Sequence, residues 1–177
     1  MCIRDSNEII SQGDVLATFD QNPFLLNVKE TETTVAISKS KLKQKMASLE
    51  KSKSELNNSI SNKAGSISKY NDFSLFLTKL DKNLEDKKTL YKNKFISKKE
   101  FEDAQFEYDS AIFQLSTLES EISSLNATIA SREAQTKIIS AEIEEVKKLI
   151  EQTELKLESE KLDLSKTKIV SPIDGFI

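Results

Sequence analysis

The two prolines of this chain constrain its fold more than any other feature. Pro23 and Pro172 bracket a long stretch that contains no proline and a single glycine, Gly65. Proline breaks a helix by removing a backbone donor, and glycine weakens a helix through its backbone entropy. Nothing in this stretch therefore forbids continuous helix. The chain is also too highly charged, at 31%, and too poor in turn residues for an ordinary compact globule of its length.

An unbroken heptad pattern occupies the second half of this stretch. Steps of seven residues give Phe101, Tyr108, Leu115, Ile122, Ile129, Thr136, Ile143, Ile150, Leu157 and Leu164. A companion column three residues further on contains Ala104, Ala111, Leu118, Leu125, Arg132, Ile139, Val146, Thr153 and Glu160. Two such columns form the contact seam of a coiled coil, so this half predicts one long helix with a partner.

The first half has a weaker seam of the same kind. Its main column contains Leu42, Leu49, Leu56, Lys63, Tyr70, Leu77, Leu84 and Tyr91. For the companion column we predict Met46, Ile60 and Ile67. Antiparallel pairing then places Leu77 opposite Ala111 in one column. In the other column it pairs Ile67 with Ile122, Ile60 with Ile129 and Met46 with Ile143, and it places Lys53 opposite Thr136.

A chain reversal is predicted between the two halves. Asn93 is suited to end the first helix, and Ser97 with Glu100 three residues later forms a capping box for the second. The reversal lies midway between the two prolines, which gives arms of nearly equal length. The sequence therefore predicts a long antiparallel coiled-coil hairpin over residues 26–166, with its tip near 91–98.

Short β-prone segments flank this hairpin. Before it, residues 7–25 contain two strand-like pieces around a turn at Ser11–Asp14, and after it residues 167–177 begin with another β-prone run. Residues 1–6 fit poorly with the rest of the chain, and we interpret them as a non-native leader. We expect a β-domain that opens before the hairpin to resume after it.

Charge and composition exclude several classes of function. The 26 basic and 29 acidic residues are mixed along the chain, so no basic stripe is available to hold nucleic acid. The chain has no histidine and one cysteine, Cys2, and its carboxylates match no calcium-loop spacing, so no metal site is expected. No apolar run reaches the roughly 18 residues that cross a bilayer.

The segments at the two ends of the hairpin carry two short motifs. One is Gly13-Asp14-Val15-Leu16, and the other is Ser171-Pro172-Ile173-Asp174-Gly175. In this order around a helical hairpin, they resemble the periplasmic adaptor or membrane fusion protein family of the haemolysin secretion protein D (HlyD) type. In that family the hairpin is inserted between two halves of a lipoyl-like (biotinyl-lipoyl) β-sandwich, so the resemblance implies that fold.

The resemblance implies a function in a tripartite export system for secretion or efflux. The adaptor would bridge an inner-membrane transporter, of the ABC class or another, and an outer-membrane channel of TolC type. It would associate with itself into a ring. The resemblance also implies a periplasmic location, with an inner-membrane anchor and further β domains outside a sequence truncated at both ends. No enzymatic activity and no small-molecule substrate of its own are expected. No cofactor is expected either, because the chain lacks the Asp-Lys-Ala or Met-Lys-Met triplet of lipoyl and biotinyl carriers.

The resemblance also points to the hairpin tip as the partner-binding site. Several family members carry an arginine there, a leucine four residues later and a serine eleven residues later. The matching positions are Asp86, Leu90 and Ser97, so the first charge is reversed, and Lys87 and Lys88 are candidates for the missing cation. The predicted site comprises Asp86, Leu90, Tyr91, Phe95, Ile96 and Ser97.

Two other functions stay open at this point. A structural coiled-coil tether with no part in transport would explain the heptads but not the motifs at the two ends. A carrier protein of an acyltransferase or carboxylase would need a modifiable lysine elsewhere. At the tip, the structural alternative is that the apolar side chains only pack against one another and close the turn.

Overall fold

Two long helices with short strands at their outer ends make up the structure, a computed structural model that describes residues 2–3 and 9–176. In chain order the elements are β1 (Cys2–Ile3), β2 (Ile9–Ile10), β3 (Val15–Thr18), α1 (Asn22–Lys92), α2 (Lys98–Lys166), β4 (Lys168–Val170) and β5 (Gly175–Phe176). The chain divides into two compact units. The strand unit comprises residues 1–48 and 139–177, and the turn unit comprises residues 49–138.

The predicted leader lies largely outside the described residues. Its only described part is β1, which pairs antiparallel with β3 and brings Cys2 opposite Thr18. The interpretation of residues 1–6 as non-native stays a prediction. Within the described residues, neither helix contains a stretch apolar enough to span a bilayer.

Helix α1 begins at Asn22, a few residues before the predicted start of the hairpin at residue 26. The Asp20 carboxylate accepts a hydrogen bond from the Asn22 backbone N–H at 3.0 Å. Pro23 fits the first turn because a residue there has no intrahelical partner for an N–H. Pro23 therefore lies inside the helix and does not bound it as the sequence predicts, because its restricted backbone favours helix initiation.

The two helices pack in antiparallel sense, as predicted. In the turn unit, the hydroxyls of Ser52 and Thr136 lie 3.0 Å apart, and Ala104 and Ala111 are buried. In the strand unit, the Lys45 ammonium lies 2.6 Å from a Glu142 carboxylate oxygen. Within each unit these contacts agree with the predicted register, without a slip of one heptad.

The predicted companion column of α1 is wrong. Met46, Ile60 and Ile67 are exposed, with Ile60 at 45%, so their predicted pairs with Ile143, Ile129 and Ile122 do not form. The neighbouring column faces α2 instead. In the turn unit this column contains Ser52, Ser59, Ser66, Phe73, Leu80 and Lys87, all buried or half-buried. Ser52 therefore takes the place predicted for Lys53 opposite Thr136.

The charges along α1 explain this rotation. In the turn unit, the predicted column would bring Lys53, Asp81 and Lys88 into the seam, whereas the observed column contains one charged residue, Lys87. Burying a charge costs more than burying an isoleucine gains, so the rotation with fewer charges in the seam is preferred. The buried serines carry little cost because Ser59 donates to its own helix at 3.1 Å, as most buried hydroxyls do.

The strands before the hairpin pair with the strands after it. β3 pairs antiparallel with β4, and β2 pairs antiparallel with β5. The two end motifs also bond to each other. The Gly13 N–H donates to the Ser171 carbonyl at 2.8 Å, and the Ser171 N–H donates to the Asp14 carbonyl at 2.8 Å. The Gln12 N–H donates to the Asp174 carboxylate at 2.6 Å. The chain thus leaves a small β-structure into α1 and returns to it from α2.

Adjacent substitutions on α1 test the rotation of the helix. Ser59→Glu places a charge in the buried seam and should lower the free energy of unfolding by about 2 kcal/mol or more. Ile60→Glu, one residue away on the exposed side, should change it by no more than about 1 kcal/mol. Urea unfolding followed by circular dichroism measures both. A larger loss for Ile60→Glu would restore the predicted companion column.

Candidate partner-binding site at the hairpin tip

The reversal of the chain is built by a helix-ending motif at the end of α1. Lys94 has a backbone φ of 60°. Its N–H donates to the Tyr91 carbonyl at 2.9 Å, and the Phe95 N–H donates to the Leu90 carbonyl at 2.9 Å. These two bonds are those of a Schellman motif, whose left-handed residue is usually glycine. The sequence predicts the helix end at Asn93, and the left-handed position falls on the next residue.

The predicted capping box begins α2. The Ser97 N–H donates to the Glu100 carboxylate at 2.8 Å, and the Glu100 N–H donates to the Ser97 hydroxyl at 3.3 Å. The Ser97 hydroxyl also donates to that carboxylate at 2.9 Å. The bonds from the Ser97 backbone and hydroxyl lower the pKa of Glu100, and the nearby charge of Lys87 adds to this effect. Ser97 therefore has a structural role besides its predicted place in the binding site.

The apolar residues of the predicted site divide into two groups. The Tyr91 ring stacks on Phe101 with the ring centroids 5.3 Å apart and the planes 6° from parallel. Ile96 is half-buried. These two residues help to close the turn, as the structural alternative proposes. Leu90 is 39% exposed and Phe95 is 76% exposed. Phe95 and Leu90 therefore leave apolar surface exposed at the tip.

The charges around Asp86 do not reproduce the arginine of the family motif. Asp86 is exposed and lies one helical turn before Leu90 on the same face of α1. The Lys88 ammonium pairs with Glu85 at 3.1 Å, and the charge of Lys87 acts on Glu100. Lys88 is therefore engaged with another carboxylate, and Lys87 is half-buried. The tip presents an acidic residue where the motif has a basic one.

Exposed lysines surround the apolar residues of the tip. They are Lys92, Lys94, Lys98 and Lys99. The Lys98 ammonium lies 3.1 Å from Glu102, and this hydrogen bond raises the pKa of Lys98, with smaller contributions from the charges of Glu102 and Tyr91. The side chains of Lys92, Lys94 and Lys99 add positive charge beside the apolar surface and favour an acidic partner rim.

Comparisons with known proteins rest on structure alone, because no family model and no curated protein matches this sequence. The chain is similar to the solved structure of the soluble domain of LipC, a membrane fusion protein of a type I secretion system. The TM-score is 0.58 at 13% identity, over 99% of this chain and 85% of that one. The chain has the fold of a membrane fusion protein.

A second similar structure is that of the periplasmic adaptor protein EmrA. Its TM-score is 0.48 at 16% sequence identity, with 99% of this chain covered. This chain spans 60% of the length of the EmrA chain.

The turn unit also carries a surface groove that the sequence did not predict. Phe73, Phe76, Leu80 and Phe106 line a surface depression of ≈ 300 Å³ in the turn unit. Phe73 and Phe76 contact each other with ring centroids 5.7 Å apart. The available signal was aromatic residues outside both predicted seams, namely Phe73, Phe76 and Phe106.

The capping box of α2 makes the stability of the hairpin depend on pH. The pKa of Glu100 is lowered in the folded state, so its contribution to stability is complete above its unfolded pKa and is lost as the pH falls through the lower, folded value. Glu100→Gln keeps the cap geometry without the charge. The stability difference between the parent chain and this variant, measured by urea unfolding, should be constant near pH 7 and shrink below about pH 4.5. A difference that grows on acidification would contradict the assignment.

Proposed function

We propose that this chain is the hairpin part of a periplasmic adaptor that links an inner-membrane transporter to an outer-membrane channel, for secretion or efflux. The observation that carries this proposal is the bonding between the two end motifs, Gly13-Asp14 and Ser171 to Gly175, around an uninterrupted hairpin. A coiled-coil tether has no need for such paired strands at its base. The structural similarity to LipC supports the same function.

The adaptor acts by contact rather than by catalysis. The strands at the base represent the two halves of a lipoyl-like domain, and the hairpin is a spacer that carries the tip to the channel. The protein operates in the periplasm, anchored to the inner membrane.

The tip contacts the channel through Phe95 and Leu90, with the surrounding lysines against an acidic rim. Phe95 is the more informative residue because it is 76% exposed and contributes little to closing the turn. This surface is positioned by Tyr91, Ile96 and Ser97. The ring of Tyr91 is held by stacking on Phe101, Ile96 is held by its half-buried packing, and Ser97 is held by the capping box. Asp86 suits a channel tip whose charge differs from that recognised by an arginine.

Export in a strain that depends on this protein tests the docking of the tip. Phe95→Asp and Leu90→Asp place a charge on the apolar surface and should reduce export at least about tenfold, because a hot-spot side chain contributes about 2 kcal/mol. The measurement is exported cargo per amount of membrane-bound adaptor. The helical content of both variants should match that of the parent.

Two matched variants separate docking from folding. Ile37→Asp charges another exposed aliphatic side chain of α1 and should export normally. Leu77→Asp charges the seam and should lower the amount of folded protein and export together. Normal export by Phe95→Asp, or a loss of export only in proportion to lost protein, would show that the tip is a closed turn and would refute docking.

A further inference from the structure

The hairpin tip carries a run of charge of a single sign. From Lys87 to Lys99 the chain contains six lysines and no acidic residue, whereas the whole chain has a formal net charge of -3. Four of these lysines are exposed around the turn, and we call them the tip lysines: Lys92, Lys94, Lys98 and Lys99. The positive charge is therefore a local feature of the tip, on both helix ends and on the turn between them.

Local stability does not account for two of the tip lysines. Lys94 has a backbone φ of 60°, in the left-handed region where glycine is the usual residue of a Schellman motif. Lys99 lies in the first turn of α2, where the helix dipole favours a carboxylate over a cation. Both lysines oppose the folding preference of their position. Such departures are typical of residues that serve binding rather than folding.

One large aromatic side chain projects from the middle of this positive charge. Phe95 directly follows Lys94 and is 76% exposed, whereas the ring of Tyr91 is stacked on Phe101. Both helices end at this turn, so Phe95 lies on a convex end of the hairpin. A protein partner needs a pocket to receive such a side chain. The interface of a lipid bilayer accepts a projecting aromatic ring without a preformed pocket.

Carboxylates lie behind the tip lysines and form a second, acidic level. The Glu100 carboxylate is bonded to Ser97 within the capping box. The next carboxylates are exposed, and they are Glu85, Asp86, Glu102 and Asp103. From Asp86 to Lys92 the helix rises about 9 Å, similar to the distance of about 8 Å over which salt screens charges. A negatively charged plane against the tip therefore attracts the lysines, while the carboxylates limit the contact to the tip.

We propose that the tip binds the surface of a membrane that contains anionic phospholipid, through the tip lysines and Phe95. The ammonium groups contact the lipid phosphates, and the Phe95 ring enters the boundary between headgroups and acyl chains. A plane of negative charge matches lysines placed all around an apex, whereas a protein surface usually mixes charges of both signs. This binding goes beyond docking to a channel and is independent of it.

Sedimentation with lipid vesicles tests the proposal on the 177-residue chain. The chain should bind vesicles of phosphatidylcholine and phosphatidylglycerol in equal parts, and it should not bind vesicles of phosphatidylcholine alone. Replacement of all four tip lysines by glutamine should lower the partition coefficient at least about fiftyfold. Each lysine contributes about fivefold, the effect of about 1 kcal/mol near an anionic surface.

Four exposed lysines of the turn unit outside the tip provide the matched control. They are Lys51, Lys53, Lys69 and Lys79. Their replacement by glutamine changes the net charge of the chain equally, but Lys79 already lies about 20 Å from the end of α1, beyond the range of screened attraction. This variant should bind within about threefold of the parent, and circular dichroism should show parental helical content for both variants. Equal losses in the two variants would show unspecific attraction and overturn the proposal.

A single tryptophan locates the contact, because the chain contains none. The emission of Phe95→Trp should move to shorter wavelength when anionic vesicles are added. Phe113 is 74% exposed on the outward face of α2, about 22 Å from the start of that helix, so the emission of Phe113→Trp should not change. Unchanged emission at residue 95, a shift at residue 113, or an equal shift at residue 95 with phosphatidylcholine alone would overturn the proposal.

The outcomes also separate lipid binding from docking to a protein channel. Vesicle binding through Phe95 together with normal export by Phe95→Asp would retain the lipid contact and refute docking. Loss of export by Phe95→Asp without vesicle binding would show that the tip serves a protein partner, and it would refute the lipid contact.

Discussion

The packing of α1 against α2 is the interaction on which the other features of the hairpin depend. In the turn unit, α1 has two columns of residues that are able to complete its seam, and it uses the one with serines rather than the one with isoleucines. The choice results from Lys53, Asp81 and Lys88, which the rejected column would bury. Because of this rotation, Leu75 points outward and the groove beside Phe73 and Leu80 forms against α2.

The turn has a structural role in addition to the binding role proposed for it. Lys94 in the left-handed conformation and the Ser97–Glu100 box satisfy the backbone groups at the two helix ends that meet there. Tyr91 and Phe101 cover each other across the turn. These contacts leave Phe95 largely uncovered, and Leu90 and Tyr91 partly so. The predicted site is therefore a small apolar surface on a rigid support, with Asp86 as its departure from the family motif.

Most of the fold could be predicted from the sequence because its signals are long and periodic. The seam of α2, the capping box and the strands beside the end motifs all derive from local patterns. The rotation of α1 did not, because Ile60 and Ile67 in the predicted column are matched by Phe73 and Leu80 in the observed one, and only the charges of the predicted column decide against it. The start of α1 at Asn22 was missed because Pro23 was interpreted as a boundary. The apolar residues on the outward faces of the two helices were missed, because the prediction considered only the two seams.

The antiparallel hairpin in its observed register supports every other conclusion, and a single pair of cysteines tests it directly. In a Cys2→Ser background, Leu77→Cys and Ala111→Cys lie opposite each other in the register of the turn unit, where we expect a disulfide to form. Oxidation should form a disulfide within one chain, seen as a faster-migrating monomer on a non-reducing gel with no dependence on protein concentration. Linkage only between chains would show that the helices pair between molecules, and it would contradict the hairpin.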